Sequence, residues 1–104
     1  MERRANLLKI ISKYKVRRQL KKLTEEVYEF METVIDYEYS TRDNYEIAKA
    51  RMTEEYADCM VLFNQFKLFY GLRNEDINDI MDYKIERQMK RIEQEFCNKN
   101  NSEV

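Results

Sequence analysis

Residues 24–60 read TEEVYEFMETVIDYEYSTRDNYEIAKARMTEEYADCM, and two acidic clusters in this stretch lie at equal distances from one polar connection. The polar residues 40–44 predict the turn of a helical hairpin. Glu26 with Asp58, and Glu29 with Glu55, both average to position 42. Because an α-helix rises about 1.5 Å per residue, antiparallel helices bring the two members of each pair to the same height. The sequence therefore predicts four carboxylates facing one another across a hairpin.

The composition predicts an all-α fold. The 104 residues include no proline and only one glycine, Gly71, so little interrupts a helix. The first apolar stripe, which ends at Tyr14, is out of phase with the stripe that begins at Val16, and this predicts a break within residues 12–15. We expect an antiparallel four-helix bundle that forms a single domain over residues 1–97, followed by a frayed tail over residues 98–104.

Local signals mark the ends of the last two helices. Asp43 and Glu46 form a potential capping box at the start of the third helix. Gly71 is expected to end that helix in a left-handed conformation, and Asn74 to cap the fourth. Helical spacing also assigns four aromatic residues to the core or to an interface: Tyr28, Tyr56, Phe63 and Phe66.

The charge is strongly segregated along the chain. Residues 1–23 contain nine Lys or Arg and only one acid, whereas residues 24–60 contain eleven acids and three bases. A basic segment can bind nucleic acid, an anionic membrane or phosphates, but it is more often a solvated face that pairs with nearby acids. We do not expect nucleic acid as a partner.

The two cysteines have neither metal-ligand spacing nor a recognisable motif. Cys59 lies in an apolar run and Cys97 near the chain end, so we expect free thiols in a reducing compartment. No segment approaches the roughly 20 apolar residues that span a bilayer. These features predict a cytoplasmic protein without membrane contact.

The acidic clusters are candidate metal ligands. Glu26 and Glu29 stand three residues apart on one helix, and Glu55 and Asp58 repeat that spacing on the next, each pair flanking an apolar stripe. The alternative is an ordinary acidic surface. Oxygen ligands in a chain without histidine favour Mg²⁺, with Mn²⁺ as a second choice, over zinc or a di-iron centre.

These residues resemble the signature of the MazG-like, all-α NTP pyrophosphohydrolase family, in which EExxE precedes ExxD by some two dozen residues. Here the two motifs are EEVYE at residues 25–29 and EYAD at residues 55–58. The resemblance covers about residues 16–92 and includes the basic KIER segment at residues 84–87. It implies that Mg²⁺ is held by four carboxylates: Glu26, Glu29, Glu55 and Asp58.

The resemblance also implies an activity. Family members hydrolyse nucleoside triphosphates to a monophosphate and pyrophosphate. Glu25 would then be a further metal ligand or would orient the attacking water. Glu25 and Glu26 are the expected catalytic residues. Binding of the triphosphate is expected from four basic residues: Lys22, Lys84, Arg87 and Arg91. For Lys84 and Arg87, surface pairing with Asp82 or Glu86 is the alternative.

Oligomerisation and substrate choice follow only in part from the resemblance. Family members are commonly dimers or tetramers, so we expect a homodimer or homotetramer. The basic N-terminal segment has two alternative roles there: to complete a neighbouring site through Tyr14, Arg17, Arg18 or Lys21, or to pair with the acidic middle of a partner chain. The preferred base is left open. Two other functions also remain: a phosphoribosyl-ATP pyrophosphohydrolase, or a non-catalytic helical interaction module with a degenerate MazG-like fold.

Overall fold

Four α-helices account for most of the chain. The computed structural model describes residues 1–102, with side chains described through residue 99, and no strand occurs among them. The helices are α1 (Arg3–Tyr14), α2 (Val16–Glu38), α3 (Tyr45–Phe69) and α4 (Asn74–Ser102). The prediction of an all-α fold is confirmed. The chain divides into two compact units, Met1–Gly71 with α1 to α3, and a second from Leu72 that contains α4.

The break between α1 and α2 falls on a single residue, Lys15, within the predicted range. Its φ of 73° and ψ of 150° lie in a region that residues with a side chain seldom occupy. The Lys15 N–H donates to the Ile11 carbonyl at 2.9 Å, and its own carbonyl accepts from the Gln19 N–H at 3.1 Å. Lys15 therefore ends one helix and begins the next without an intervening loop.

The predicted hairpin is confirmed, because α2 ends at Glu38 and α3 begins at Tyr45. The predicted capping box was wrong: Asn44, not Asp43, occupies the N-cap position, and its side chain makes no capping hydrogen bond. Instead, Asn44 Oδ1 accepts hydrogen bonds from the Thr41 N–H at 2.8 Å and the Thr41 hydroxyl at 3.1 Å. The Asn44 side chain therefore accepts hydrogen bonds from the turn and not from the free N–H groups at the start of α3.

Gly71 follows α3 with a φ of 67°, as predicted, and its N–H donates to the Leu68 carbonyl at 3.3 Å. Asn74 is the first residue of α4 rather than its cap, and α4 continues to Ser102, through most of the expected tail. Residues 103–104 lie outside the described range. Within that range, no helix combines the length and apolarity needed to cross a bilayer.

Packing within the first unit is built on the α2–α3 hairpin, with α1 against both helices. The buried apolar residues are Leu7 and Ile11 of α1 and Cys59 and Leu62 of α3. Phe30 of α2 meets Tyr56 of α3 edge-on, with ring centroids 5.7 Å apart. This hairpin sets the height of every side chain in the site described below.

Helical spacing assigned four aromatic residues to the core or to an interface, and at three of these positions the single chain does not bury the ring. Tyr28, Tyr56 and Phe63 are half-exposed or more, whereas Phe66 is partly buried. Six large apolar residues of α4 are also at least half exposed: Ile80, Met81, Ile85, Met89, Ile92 and Phe96. An unusually large share of the apolar side chains of this protein therefore remains accessible.

Candidate metal centre and adjoining cleft

Three of the four predicted metal ligands come together where α2 faces α3. Carboxylate oxygens of Glu26, Glu29 and Glu55 all lie within 4.8 Å of one another. Glu26 and Glu55 are partly buried, and Glu29 is exposed. The helical spacing places Glu26 and Glu29 on one face of α2, and the hairpin brings Glu55 opposite them. The sequence predicted that four carboxylates meet here, and the structure brings oxygens of three of them together.

Two oxygens in this cluster lack a partner. Glu26 Oε2 and Glu55 Oε2 are shielded from solvent and accept no hydrogen bond. When both groups are ionised, neither can donate to the other, because a carboxylate has only acceptor oxygens. A proton or a cation between them would satisfy both oxygens. A positive charge between these two carboxylates would therefore stabilise the cluster.

The pKa of Glu55 also reflects the lack of positive charge in this cluster. The hydrogen bond that protonated Glu55 would donate to Glu26, loss of solvation and repulsion from neighbouring carboxylates raise the pKa of Glu55 from 4.5 to about 7. The repelling groups are Glu26, Glu29 and Asp58. A bound cation would oppose this effect by favouring the ionised form. Near neutral pH, a cation at this position would therefore compete with a proton for Glu55.

Asp58 stands beside this cluster rather than within it. Among the described residues, the set of oxygens within 4.8 Å does not include Asp58. Its charge nevertheless contributes to the raised pKa of Glu55, and its side chain lines the adjoining cleft. Burial, followed by repulsion from the same carboxylates, also raises the pKa of the Cys59 thiol. Cys59 is therefore held in its protonated form, which is not a metal ligand.

A cleft of about 1180 Å³ adjoins the carboxylates. Its walls come from α1, α2 and α3, and Glu25, Glu26 and Asp58 line it at the acidic side. Five basic residues line it as well: Lys15, Arg17, Arg18, Lys21 and Lys22. This volume suits a small-molecule ligand rather than a lone ion. Its lining combines ligands for a cation with ligands for an anion.

A pair of glutamines forms part of the same wall. Gln19 Nε2 donates a 2.8 Å hydrogen bond to Gln65 Oε1, linking α2 to α3. Gln19 is 4% exposed and Gln65 is 2% exposed. Their positions also average to 42, so this bond follows the same antiparallel register as Glu26 and Asp58.

Tyr14 forms another part of the wall, at the end of α1. It is 40% exposed, with the Arg18 guanidinium carbon 5.2 Å and the Lys13 ammonium nitrogen 5.5 Å from its ring centre. Such cations over an aromatic face hold the ring in place.

The predicted substrate-binding residues divide between the two units. Lys22 lines the cleft, beside the carboxylates. Lys84, Arg87 and Arg91 lie on α4, where all three are exposed, and the Arg87 guanidinium lies 6.0 Å from the ring centre of Tyr83. Glu86 pairs with Lys90 at 4.0 Å. The role of the α4 bases in phosphate binding stays a prediction.

Several residues of the cleft were missed or given another role by the sequence. Tyr14, Arg17, Arg18 and Lys21 line a cleft within their own chain, and their role towards a neighbouring subunit stays a prediction. The Gln19–Gln65 pair was not predicted at all. Its signal was present, because Gln19 stands at helical spacing between Val16 and Leu23, where an apolar residue is expected.

Comparison of this chain with protein-family models, with curated proteins and with solved structures found no match. The geometry of the carboxylates and the cleft therefore carries the functional argument.

Proposed function

We propose that this protein is a Mg²⁺-dependent nucleoside triphosphate pyrophosphohydrolase, which converts a nucleoside triphosphate to the monophosphate and pyrophosphate. One observation carries the proposal. Three carboxylates from facing helices lie within 4.8 Å of one another, beside a cleft whose wall bears five Lys or Arg side chains. A polyphosphate with its divalent cation is a ligand that requires both halves of this arrangement.

The carboxylates fit a hard divalent cation. The two shielded oxygens of Glu26 and Glu55 lack partners, and every candidate ligand in the cluster is an oxygen, which Mg²⁺ prefers. Glu26, Glu29 and Glu55 would hold the ion, with Asp58 as a fourth residue next to them. When bound, Mg²⁺ would neutralise charge on the phosphate oxygens and lower the pKa of an attacking water.

The basic wall would hold the triphosphate. Arg18, Lys21 and Lys22 are charged donors, and charge-assisted hydrogen bonds to phosphate are about twice as strong as neutral ones. Their position beside Glu25 and Glu26 directs the phosphate chain towards the carboxylates. Lys84, Arg87 and Arg91 would add phosphate contacts if α4 joins the same site.

Glu25 is the candidate for moving the proton. It lines the cleft but is not among the three clustered carboxylates, which leaves its oxygens available to a water molecule. Water would attack the α-phosphorus, the bond from that phosphorus to the bridging oxygen would break, and pyrophosphate would leave. Glu25 would accept the proton of the attacking water.

We further propose that α4 completes a four-helix bundle and joins two or more copies of the chain. Ile77, Met81, Ile85, Met89 and further apolar residues recur every three or four positions, as on a helix face made for packing. Met81, Ile85 and Met89 are more than half exposed in the single chain. So much accessible apolar surface on one helix favours a protein partner.

The proposal is tested by measuring pyrophosphate release from canonical and damaged nucleoside triphosphates, with and without Mg²⁺. Glu29→Gln and Asp58→Asn should abolish turnover while the helical circular dichroism signal persists. Asp36→Asn, an exposed acid further along α2, is the matched control and should keep full activity. Unchanged turnover in both site variants, or no activity of the wild type on the whole panel, would reject the hydrolase.

A further inference from the structure

The Gln19–Gln65 pair has hydrogen-bonding capacity that the protein does not use. Their one hydrogen bond occupies the donor group of Gln19 and the carbonyl oxygen of Gln65. A carbonyl oxygen on Gln19 and an amide NH₂ on Gln65 are left over. Exchanging the oxygen and nitrogen of both side chains reverses the bond but still leaves one acceptor and one donor. The wall of the cleft therefore offers an adjacent acceptor and donor, whichever amide donates.

This spare capacity lies at a buried place. Both side chains are more than nine-tenths buried, yet both line the cleft. Among the described residues, the shielded side-chain atoms without a partner belong to Glu26 and Glu55, so the spare oxygen and nitrogen of the glutamines keep contact with the cleft. They are therefore available to a ligand with hydrogen bonds to exchange.

We propose that Gln19 and Gln65 form a nucleobase subsite, in which the free acceptor and donor bind the hydrogen-bonding edge of the base. The inference rests on the proposed function for the identity of the ligand as a nucleotide. Each of the common bases carries a donor next to an acceptor on its pairing edge, and proteins read that edge with such groups. The two amides are neutral, so they suit an uncharged ring better than a phosphate.

The rest of the cleft supports this placement. The basic residues give the phosphates a charged wall, and Glu26 and Asp58 lie at the acidic side, so the amides are the neutral part of the lining. Tyr14 adds an aromatic ring, and base stacking on such a ring contributes about 1–3 kcal/mol. Its partial exposure leaves room for a planar ligand.

The first test is equilibrium binding in Mg²⁺, with an α,β-methylene nucleoside triphosphate that resists cleavage and with tripolyphosphate, which has no base. Gln65→Met should weaken binding of the nucleotide about tenfold, as expected for a lost hydrogen bond, and leave tripolyphosphate unchanged. Gln94→Met, at an exposed position on the side of α4 opposite its apolar stripe, is the matched control. Equal weakening of both ligands, or no weakening of either, would overturn the subsite.

The second test needs no variant. The chain contains four glutamines, of which Gln88 and Gln94 are exposed on α4 and serve as internal references. In ¹⁵N NMR spectra, the side-chain amide signals of Gln19 and Gln65 should shift with the nucleotide analogue and not with tripolyphosphate. Signals that respond alike to both ligands, or to neither, would overturn the subsite.

The two proposals fail in different ways. Base-dependent binding and amide shifts without pyrophosphate release from any nucleotide would reject the hydrolase and retain the subsite. Pyrophosphate release with the same kcat/KM in the wild type and in Gln65→Met would retain the hydrolase and reject the subsite.

Discussion

Glu26 on α2 and Glu55 on α3 each hold a shielded carboxylate oxygen without a hydrogen-bond partner, on facing sides of the hairpin that organises the first unit. Two acceptors placed in this way repel each other unless a proton or a cation lies between them. The pair therefore links the stability of the fold to the occupancy of the site.

Mg²⁺ should stabilise the wild type, and Glu55→Gln should remove that response. A cation at 100 times its Kd adds about 2.7 kcal/mol to the free energy of unfolding, because it binds the folded chain alone. Without metal at pH 8, Glu55→Gln should melt at a higher temperature than the wild type, since an amide relieves the repulsion. Thermal melts with and without Mg²⁺ measure both effects.

The control for this experiment is Asp36→Asn, which should respond to Mg²⁺ as the wild type does. An equal rise in melting temperature for the wild type and for Glu55→Gln would mean that Mg²⁺ binds elsewhere.

The metal-free protein should lose stability as pH rises from about 4.5 to about 7. The pKa of Glu55 is about 7 in the folded chain against an ordinary 4.5, so the folded state binds this proton more tightly. The stabilisation is fully present below the unfolded pKa and is lost as pH rises through the folded pKa. Urea unfolding across this range, in a chelating buffer, should show the decline in the wild type and a flatter profile in Glu55→Gln. Matching profiles would contradict the assignment.

The hairpin could be predicted from the sequence because several independent features of the sequence indicate it. The turn residues, the acidic spacing and the absence of helix breakers all indicated the same register. The hydrogen bond between Gln19 and Gln65 follows that register, and Glu29 and Glu55, which it pairs, lie in one carboxylate cluster. The break at Lys15 was predicted from a change of phase alone. Only the backbone conformation in the structure shows that the break falls on this single residue.

It was harder to predict which face of each helix is buried. Helical spacing continues the apolar stripe that begins at Val16 through Leu20, so the sequence predicts Leu20 on the buried face of α2. In the structure, Leu20 is 54% exposed and its neighbour Gln19 is buried. On α3, Leu62 is buried where Phe63 was expected. A rotation of one residue, about 100° around the helix, separates these alternatives, and hydropathy favours the larger apolar side chain. Packing of α1 against the hairpin decides the question, and no local pattern encodes it.

Lys15→Gly should raise the stability of the protein. A non-glycine residue at φ 73°, ψ 150° costs about 1–3 kcal/mol, and glycine removes this strain while adding roughly 1 kcal/mol of backbone entropy cost. We expect a net gain of about 1 kcal/mol, or about 4–8 °C in melting temperature. Lys9→Gly, on the exposed side of α1, should lower stability by about 1 kcal/mol. A loss of stability in Lys15→Gly would show that its side chain matters more than its backbone.

Removing a charge from the cleft should affect substrate binding more than removing one from α4. Lys22 lines the cleft, and a hydrogen bond from a charged donor contributes about 1.5–3 kcal/mol, so Lys22→Met should raise KM at least tenfold. Lys84→Met is the paired variant, and steady-state kinetics with a nucleoside triphosphate compares the two. A larger effect from Lys84 would place the phosphates against α4 instead.

The exposed stripe of α4 should mediate association between copies of the chain. Light scattering after size exclusion should give a mass at least twice the 12.9 kDa of one chain. Met81→Asp and Ile85→Asp place a charge in the middle of the stripe, where burial against a partner would cost several kcal/mol, and each should shift the mass towards the monomer.

Gln94→Asp is the control for these variants, because Gln94 is exposed and helical spacing places it on the opposite side of α4. It should leave the mass unchanged. A monomeric wild type, or dissociation by Gln94→Asp to the same extent as by Met81→Asp, would show that the stripe does not join copies of this chain. If association and pyrophosphate release are lost together in Met81→Asp while the helical signal persists, the second copy is needed to form the working site.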